Sequence, residues 1–140
     1  MSGYTQWEMK DCIFCKIVKG EIPSLKVYED VNFMAFLDIN PNTKGHTLVV
    51  PKTHYRWTYD VPNFGEYFEF ARKVAKGCIK GLGADWISFI TVGLDVSHAH
   101  IHVIPRYPDD GHGVVVNSEL HQKYSDRKMK EIADKIKSAI

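Results

Sequence analysis

Three histidines stand at alternate positions in His98-Ala99-His100-Ile101-His102. Histidine is 7 of 140 residues, so three at set positions arise by chance about once in 8000 windows. In an extended strand successive side chains point to opposite faces. His98, His100 and His102 then share one face, and Ala99, Ile101 and Val103 form an apolar face suited to a core. Imidazoles arrayed in this way line a cleft or a metal site; the plainer alternative is a strand with solvated rings. Two chemistries suit them. Imidazoles at i and i+2 can chelate one metal ion, as in hydrolytic zinc enzymes. Alternatively, one ring is a nucleophile. It must then be neutral, with its second nitrogen protonated and held by an acceptor, so that the attacking lone pair faces the substrate. Three close imidazoles are not readily all protonated, so at least one stays neutral near pH 7.

Cys12-Ile13-Phe14-Cys15 has the spacing of a metal-ligand pair. A thioredoxin-like reading needs a preceding strand and a βαβ context, which the pattern lacks. The odd count of three cysteines forms no closed disulfide framework. The third, Cys78, lies on an apolar helical stripe and reads as a buried core thiol.

The elements that position these residues are short and mostly extended. Residues 1–11 read as a loose, polar and aromatic extension without a signal-peptide core, ahead of a single domain over 12–140. Cys12 to Lys19 reads as a short helix or turn, ended by Gly20 and Pro23. Leu25–Tyr28 and Phe33–Leu37 are strand candidates. A long polar turn through Pro41 and Gly45 leads to a β-rich run, His46–Val50, stopped by Pro51. After Pro62, the residues Phe64, Tyr67, Phe68, Ala71, Val74, Ala75, Cys78, Ile79 and Leu82 recur at three and four, marking one buried helix face. Asn63 can cap its start, and Gly81 or Gly83 its end. Trp86–Val92 and His98–Ile104 read as strands, and 107–118 is turn-rich. A last helix runs from Ser125, with Met129, Ile132, Ala133 and Ile136 on one face. Strands outnumber helices and are joined by short turns, which favours an α+β fold with an antiparallel sheet.

Bulk properties narrow the function. A net charge of +1 gives no reason to invoke a nucleic acid polymer or a membrane surface. No apolar run approaches the roughly 18 residues of a spanning helix. A soluble, cytoplasmic protein is expected.

Three motifs together resemble the histidine triad (HIT) family, in particular its nucleoside-phosphoramidase-like branch. They are Cys-Ile-Phe-Cys-Lys-Ile-Val-Lys-Gly-Glu-Ile-Pro-Ser at 12–24, Lys-Gly-His-Thr-Leu-Val-Val-Pro-Lys-Thr-His at 44–54, and His-Ala-His-Ile-His-Val-Ile at 98–104. The resemblance spans roughly residues 12–106 in the right order. It implies a five-stranded antiparallel sheet with one long helix across it, followed here by the C-terminal helix. It also implies a homodimer formed through that helix and a strand, with which an aromatic helix surface at Tyr67 and Phe70 is compatible. The implied activity is cleavage at the α-phosphate of AMP-like purine nucleotides through a covalent nucleotidyl-histidine. His100 matches the nucleophile, His102 the residue that lies beside the phosphate and helps fix it, and His46 the separate histidine that supports the nucleophile's other side. For His46 the plainer reading is a turn histidine in water. Asp38 matches the carboxylate that accepts from ribose hydroxyls, or simply initiates a turn. Ile13, Phe14, Ile17, Phe36 and Ile39 match the walls around the base, or are plain core. The resemblance further implies a structural zinc ion held by Cys12, Cys15, His54 and His98.

One stretch departs from the family pattern. The link before the triad is only Gly93-Leu94-Asp95-Val96-Ser97, where members usually carry a longer loop with Asn near its start and Gly-Gln-Ser near its end. Thr91 takes the approximate place of the Asn, and Ser97 is left to donate to phosphate or to a leaving group. Asp95 adds negative charge unless it points away. These changes motivate an alternative, a non-catalytic nucleotide-binding or partner-binding module. Arg106 either contacts phosphate or lies in solvent, and His112 and His121 read as surface histidines.

Overall fold

The structure is a computed structural model that describes residues 11–140, so most of the expected N-terminal extension lies outside the described residues. The elements are α1 (Ile13–Val18), β1 (Lys26–Glu29), β2 (Phe33–Leu37), β3 (Thr47–Pro51), a 3-10 turn (Thr58–Asp60), α2 (Phe64–Leu82), β4 (Trp86–Ile90), β5 (Ile101–Arg106) and α3 (Asp126–Ser138). The five strands form one antiparallel sheet in the order β1-β2-β3-β5-β4. This is the expected α+β architecture.

Both faces of the central strands are covered, so β2 and β3 are buried at every position instead of alternating. On one face, Val27, Ala35, Leu37, Val49, Ile101 and Val103 pack with α2 and with Ile132, Ala133 and Ile136 of α3. On the other, Met34, Phe36, Leu48 and Val50 pack against Cys12, Phe14 and Cys15 of the α1 segment. The alternation inferred for the triad therefore separates two packed layers, with Ala99 in the first and Phe14 against the rings of His98 and His100 in the second.

The triad strand itself begins later than expected, at Ile101 instead of His98. β3 pairs β5 only from Val49↔Ile101 to Thr47↔Val103. Beyond that the ladder lapses: Ala99 N–H bonds to Tyr55 O, and Pro51 has no N–H to offer. His98 and His100 thus sit on an irregular lead-in whose carbonyls and side chains are open to other partners.

The long helix is as periodic as expected, but two details differ. Asn63 occupies the N-cap position without a side-chain capping bond; its Nδ2 donates toward Glu66 Oε2 at 3.5 Å instead. Tyr67 and Phe70 form no outer surface. Tyr67 stacks on Phe33 and donates its hydroxyl to Val49 O at 2.8 Å, and Phe70 packs against Phe33 and Tyr28. Both point at the sheet because they lie on the stripe that contains Val74. The helix ends at Gly83, whose φ of 73° closes it with a bond from its N–H to Ile79 O. Gly45 is another glycine in the left-handed region. Its φ is +88°, and an added Cβ would collide with Leu82 Cδ1. The turn that delivers His46 thus rests directly on the end of α2. Among the described residues no helix is long and apolar enough to cross a membrane.

Candidate active site and metal cluster

His100 and His102 come together with His46, which enters from the start of β3. Which ring nitrogen carries the proton follows from the partners, because a carbonyl can only accept and a backbone N–H can only donate. His100 Nδ1 lies 2.8 Å from His98 O, so it donates there and leaves the lone pair on Nε2. Asn42 N–H donates to His46 Nδ1 at 3.0 Å, so His46 carries its proton on Nε2. That proton is donated to His102 Nδ1 at 2.9 Å, which leaves the His102 proton on Nε2. Burial favours the neutral form of each ring. It holds His46 down at about 3 and His102 at about 4, where nearby histidines add to the effect, and it lowers His100 against the raising influence of the bond to His98 O. At neutral pH the group contains an uncharged imidazole with a free lone pair beside an uncharged N–H donor.

Asp38 lies at the end of β2 with one carboxylate oxygen accepting from Asn40 N–H at 2.9 Å and the other 3.7 Å from His46 Nε2. Burial raises its pKa. The turn-initiating role and proximity to the histidines therefore coexist. Asp38, His46 and His102 also offer three ligand atoms within 4.8 Å of one another. In the assigned tautomers, however, His46 Nε2 carries a proton and the His102 Nδ1 lone pair accepts it, so neither is free for an ion.

His98 turns the other way. Its Nε2 donates to Pro51 O at 2.8 Å, so the lone pair lies on Nδ1. That atom is 3.3 Å from Cys12 Sγ, 3.5 Å from Cys15 Sγ and 3.1 Å from His54 Nδ1, and Cys15 Sγ is 3.3 Å from His54 Nδ1. A tetrahedral zinc ion with bonds of about 2.0–2.3 Å sets its ligands roughly 3.3–3.8 Å apart. Three of the four spacings fall in this range, the His98–His54 separation of 3.1 Å is about 0.2 Å shorter than its lower end, and the two-sulfur, two-nitrogen donor set fits such an ion. Burial pushes the Cys15 thiol up to about 12, with Cys12 adding to the rise, so a pair of buried thiolates needs a cation to balance it. The four residues expected as ligands form this cluster, which can hold a metal ion. The chelate of two imidazoles at i and i+2 is not what forms, because His98 and His100 direct their nitrogens to different partners.

The expected base-site residues divide. Phe14 and Phe36 are buried and contact each other edge to face at 5.6 Å, and Ile17 is partly buried against the same layer. Ile13 and Ile39 are exposed, at 45% and 93%, which leaves apolar surface beside the site instead of core. Thr91 and Ser97 are both exposed. Thr91 lines a cavity of about 110 Å³ with His100, Gly93, Trp57 and Arg56. The Arg56 guanidinium lies 3.6 Å over the Trp57 ring and donates to Gly93 O at 2.8 Å. Asp95 is exposed, and its charge is a minor influence that raises the pKa of His100 and of His102 against the larger effect of burial.

Sequence reasoning missed several supports. Arg106 is neither in solvent nor a free phosphate contact. It is buried, donates to Asp110 Oδ2 at 2.8 Å and to Val114 O and Gly113 O, and its guanidinium lies 4.5 Å over the Trp86 ring. Burial works to raise the Asp110 carboxyl, but Arg106 and the N–H groups of Tyr107 and His112 outweigh it and hold it at about 2. His112 is partly buried and donates to Asn42 O at 2.9 Å, while His121 is exposed, as expected, and bonds to Asn40 O. Only the identity of Asn42, four residues before His46 in a polar turn, hinted at such a role.

The family model for the HIT domain matches residues 19–109. The chain belongs to the HIT family. Among relatives in the family, an uncharacterised HIT-like protein of Methanocaldococcus jannaschii is 46% identical over 128 residues, covering 86% of this chain and 98% of the relative. The adenosine 5′-monophosphoramidase of Saccharomyces cerevisiae is 38% identical over 110 residues, covering 75% of this chain and 68% of that protein. A zinc-bound HIT protein from Mycobacterium smegmatis superposes with a TM-score of 0.76 at 31% identity, covering 94% of each chain.

Proposed function

We propose that this HIT protein is a nucleotide hydrolase or transferase that cleaves at the α-phosphate of AMP-like substrates through a nucleotidyl-His100 intermediate. The observation that carries the reading is the bond from His100 Nδ1–H to His98 O, which leaves Nε2 as a neutral nucleophile. Nε2 attacks phosphorus, the bond to the leaving group breaks, and the leaving group departs with the electron pair and takes up a proton. The ring becomes a cation whose Nδ1–H stays bound to the carbonyl, which offsets charge on the phosphoryl oxygens. Water then attacks phosphorus, and the P–N electrons return to Nε2. His102 Nε2–H supplies a hydrogen bond to the phosphoryl group, and His46 keeps that proton where it is. Asp38 offers its second oxygen to a ribose diol, and Phe14, Ile13, Ile17, Phe36 and Ile39 flank the base. Thr91, Ser97 and Arg56 surround the leaving-group side. The likeness to a monophosphoramidase supports this substrate class.

We assign zinc to the Cys12, Cys15, His54 and His98 cluster, which the donor set and the zinc-bound relative support. The ion would supply stability, tying α1 to the triad lead-in. A second copy of the chain is the partner proposed for the β4 edge, where exposed Trp86 and Phe89 border a groove of about 590 Å³ with Phe68 and Ile79. Free buried cysteines suit the reducing cytoplasm.

The binding-module alternative is favoured by one feature, the short 93–97 link, which places the exposed Asp95 charge ahead of the triad where it would disfavour an anionic phosphate. Intact-protein mass after rapid mixing with adenosine 5′-phosphoramidate separates the two. A transient AMP adduct in the wild type, absent from His100→Ala, is the expected result. AMP binding with neither adduct nor turnover would establish the binding module.

A further inference from the structure

Two polar residues outside the triad join the C-terminal segment to the histidine row. His112 Nδ1 accepts from Asn117 N–H at 3.0 Å, so its proton lies on Nε2, and that proton is donated to Asn42 O at 2.9 Å. The Asn42 side chain, almost wholly buried, donates to Leu120 O at 2.9 Å and Ser118 O at 3.3 Å. Gln122 N–H bonds to Pro41 O at 2.8 Å. Residues 112–122 therefore hold the carbonyl of residue 42, its side chain, and the Pro41 carbonyl of the peptide that carries the Asn42 N–H. That N–H is the donor that determines which nitrogen of His46 is protonated.

The segment that does the holding is itself anchored to the triad strand. Asp110, paired with Arg106 at the end of β5, accepts from His112 N–H at 3.0 Å. The contacts form a closed circuit: β5 to Arg106, Asp110, His112, Asn42, His46 and back to His102 on β5. A ring nitrogen that accepts from a fixed N–H cannot carry a proton, so moving that N–H frees the imidazole to exchange tautomers.

We propose that His112 and Asn42 are positioning residues that hold His46, and through it His102, in the Nε2–H tautomer. Neither touches the nucleotide. They act by fixing one peptide N–H, and His102 then presents a donor, not a lone pair, to the substrate. An unanchored turn would let His46 place its proton on Nδ1, and His102 would lose the partner that keeps its own proton on Nε2.

The test compares His112→Ala, His112→Gln and Asn42→Ala with the wild-type chain. Nitrogen-15 spectra of the imidazoles report the His46 and His102 tautomers directly and need no turnover. This arm is therefore independent of the proposed function, on which the kinetic arm rests. The expected result is a single His46 Nε2–H tautomer in the wild type and a mixture in His112→Ala and Asn42→Ala. With adenosine 5′-phosphoramidate, kcat of His112→Ala should fall on the order of tenfold while KM changes by less than about twofold, as for a group that acts in the transition state. His112→Gln places an amide N–H near the position of imidazole Nε2–H and should restore both the tautomer and most of kcat. An unmixed His46 tautomer in the folded alanine variants overturns the proposal, as does a loss of kcat that glutamine fails to rescue while the tautomer stays unchanged. A wild-type chain that turns over no substrate but shows the tautomer shift in the variants would sink the proposed activity and leave the positioning role standing.

Discussion

The two sides of the triad use the same side chain in opposite ways. Around Cys12, Cys15, His54 and His98, sulfur and nitrogen atoms that could ligate a metal face one another across 3.1 to 3.5 Å, an arrangement that a cation in their midst would stabilise. Around His46, His102 and His100, lone pairs meet protons in series, and the row is stable as neutral rings. What differs is the backbone group on the far nitrogen. Pro51 O takes Nε2–H of His98, whereas His98 O takes Nδ1–H of His100, although the two rings are only two residues apart. A carbonyl on one nitrogen decides what the other can do, so a histidine becomes a metal ligand or a nucleophile through its second partner.

The sharpest way to break this comparison is His100→Ala. Turnover should fall on the order of 10⁴-fold or more, while the Cys–His cluster keeps its metal and the thermal midpoint moves little. Steady-state rates and metal content on the same preparation decide it; wild-type turnover in a clean variant would remove His100 from the chemistry.

Metal removal tests the other side. Chelation, or Cys15→Ser, should lower the melting temperature by on the order of 10 °C, yet leave turnover within about threefold when it is assayed well below the new transition. Activity that vanishes with chelator and returns with metal, at an unchanged melting temperature, would merge the two regions into one metal-dependent centre.

Acidification distinguishes them further. His46 at about 3 and His102 at about 4 have folded values below the unfolded histidine value near 6.5. In that interval the unfolded chain binds more protons, so stability rises with pH and is lost as pH falls from about 6.5 toward 4. The slope approaches about 1.4 kcal/mol per pH unit for each buried ring. Denaturant unfolding at pH 7 and pH 5 measures it, and His46→Asn should reduce the slope. An equal slope in that variant would assign the loss to other groups.

The smallest effect is expected at Phe14, whose ring lies edge-on to both His98 and His100, at 5.8 and 5.2 Å. Phe14→Leu should cost about 1–2 kcal/mol and change turnover by only a few fold. A selective collapse of either metal binding or turnover would show that the ring serves one side alone.

Much of this was legible before any coordinates. The alternation of His98, His100 and His102 against Ala99, Ile101 and Val103 survives as two packed layers, even though the regular ladder starts only at Ile101. The α2 stripe was legible because helical period is local, but its outer limits were not. Phe64 and Ile79 match the period and are nonetheless exposed, at 45% and 43%, and Ile79 lines the groove beside β4. Tyr67 is buried as its place on the stripe implied, but it and Phe70 do not form the aromatic surface that was compatible with a dimer. Arg106 and His112 were unreadable, since their partners lie in turns whose course no periodicity describes.

The family resemblance pointed to His54 and His98 as partners of Cys12 and Cys15; the sequence by itself determined the alternation of the triad histidines, which helix is amphipathic, and the metal-ligand spacing of the two cysteines. Those are matters of residue type and short spacing, and they depend only on local backbone geometry. Tertiary structure decided which nitrogen of His98 and of His102 is protonated, whereas His46 and His100 take their tautomers from backbone groups four and two residues away. Pro51 reaches His98 from 47 residues away, His46 reaches His102 from 56, and His112 reaches Asn42 from 70. A tautomer is chosen by whichever donor or acceptor the folded chain brings to the ring, and that choice separates the cluster suited to a metal from the row suited to phosphoryl chemistry.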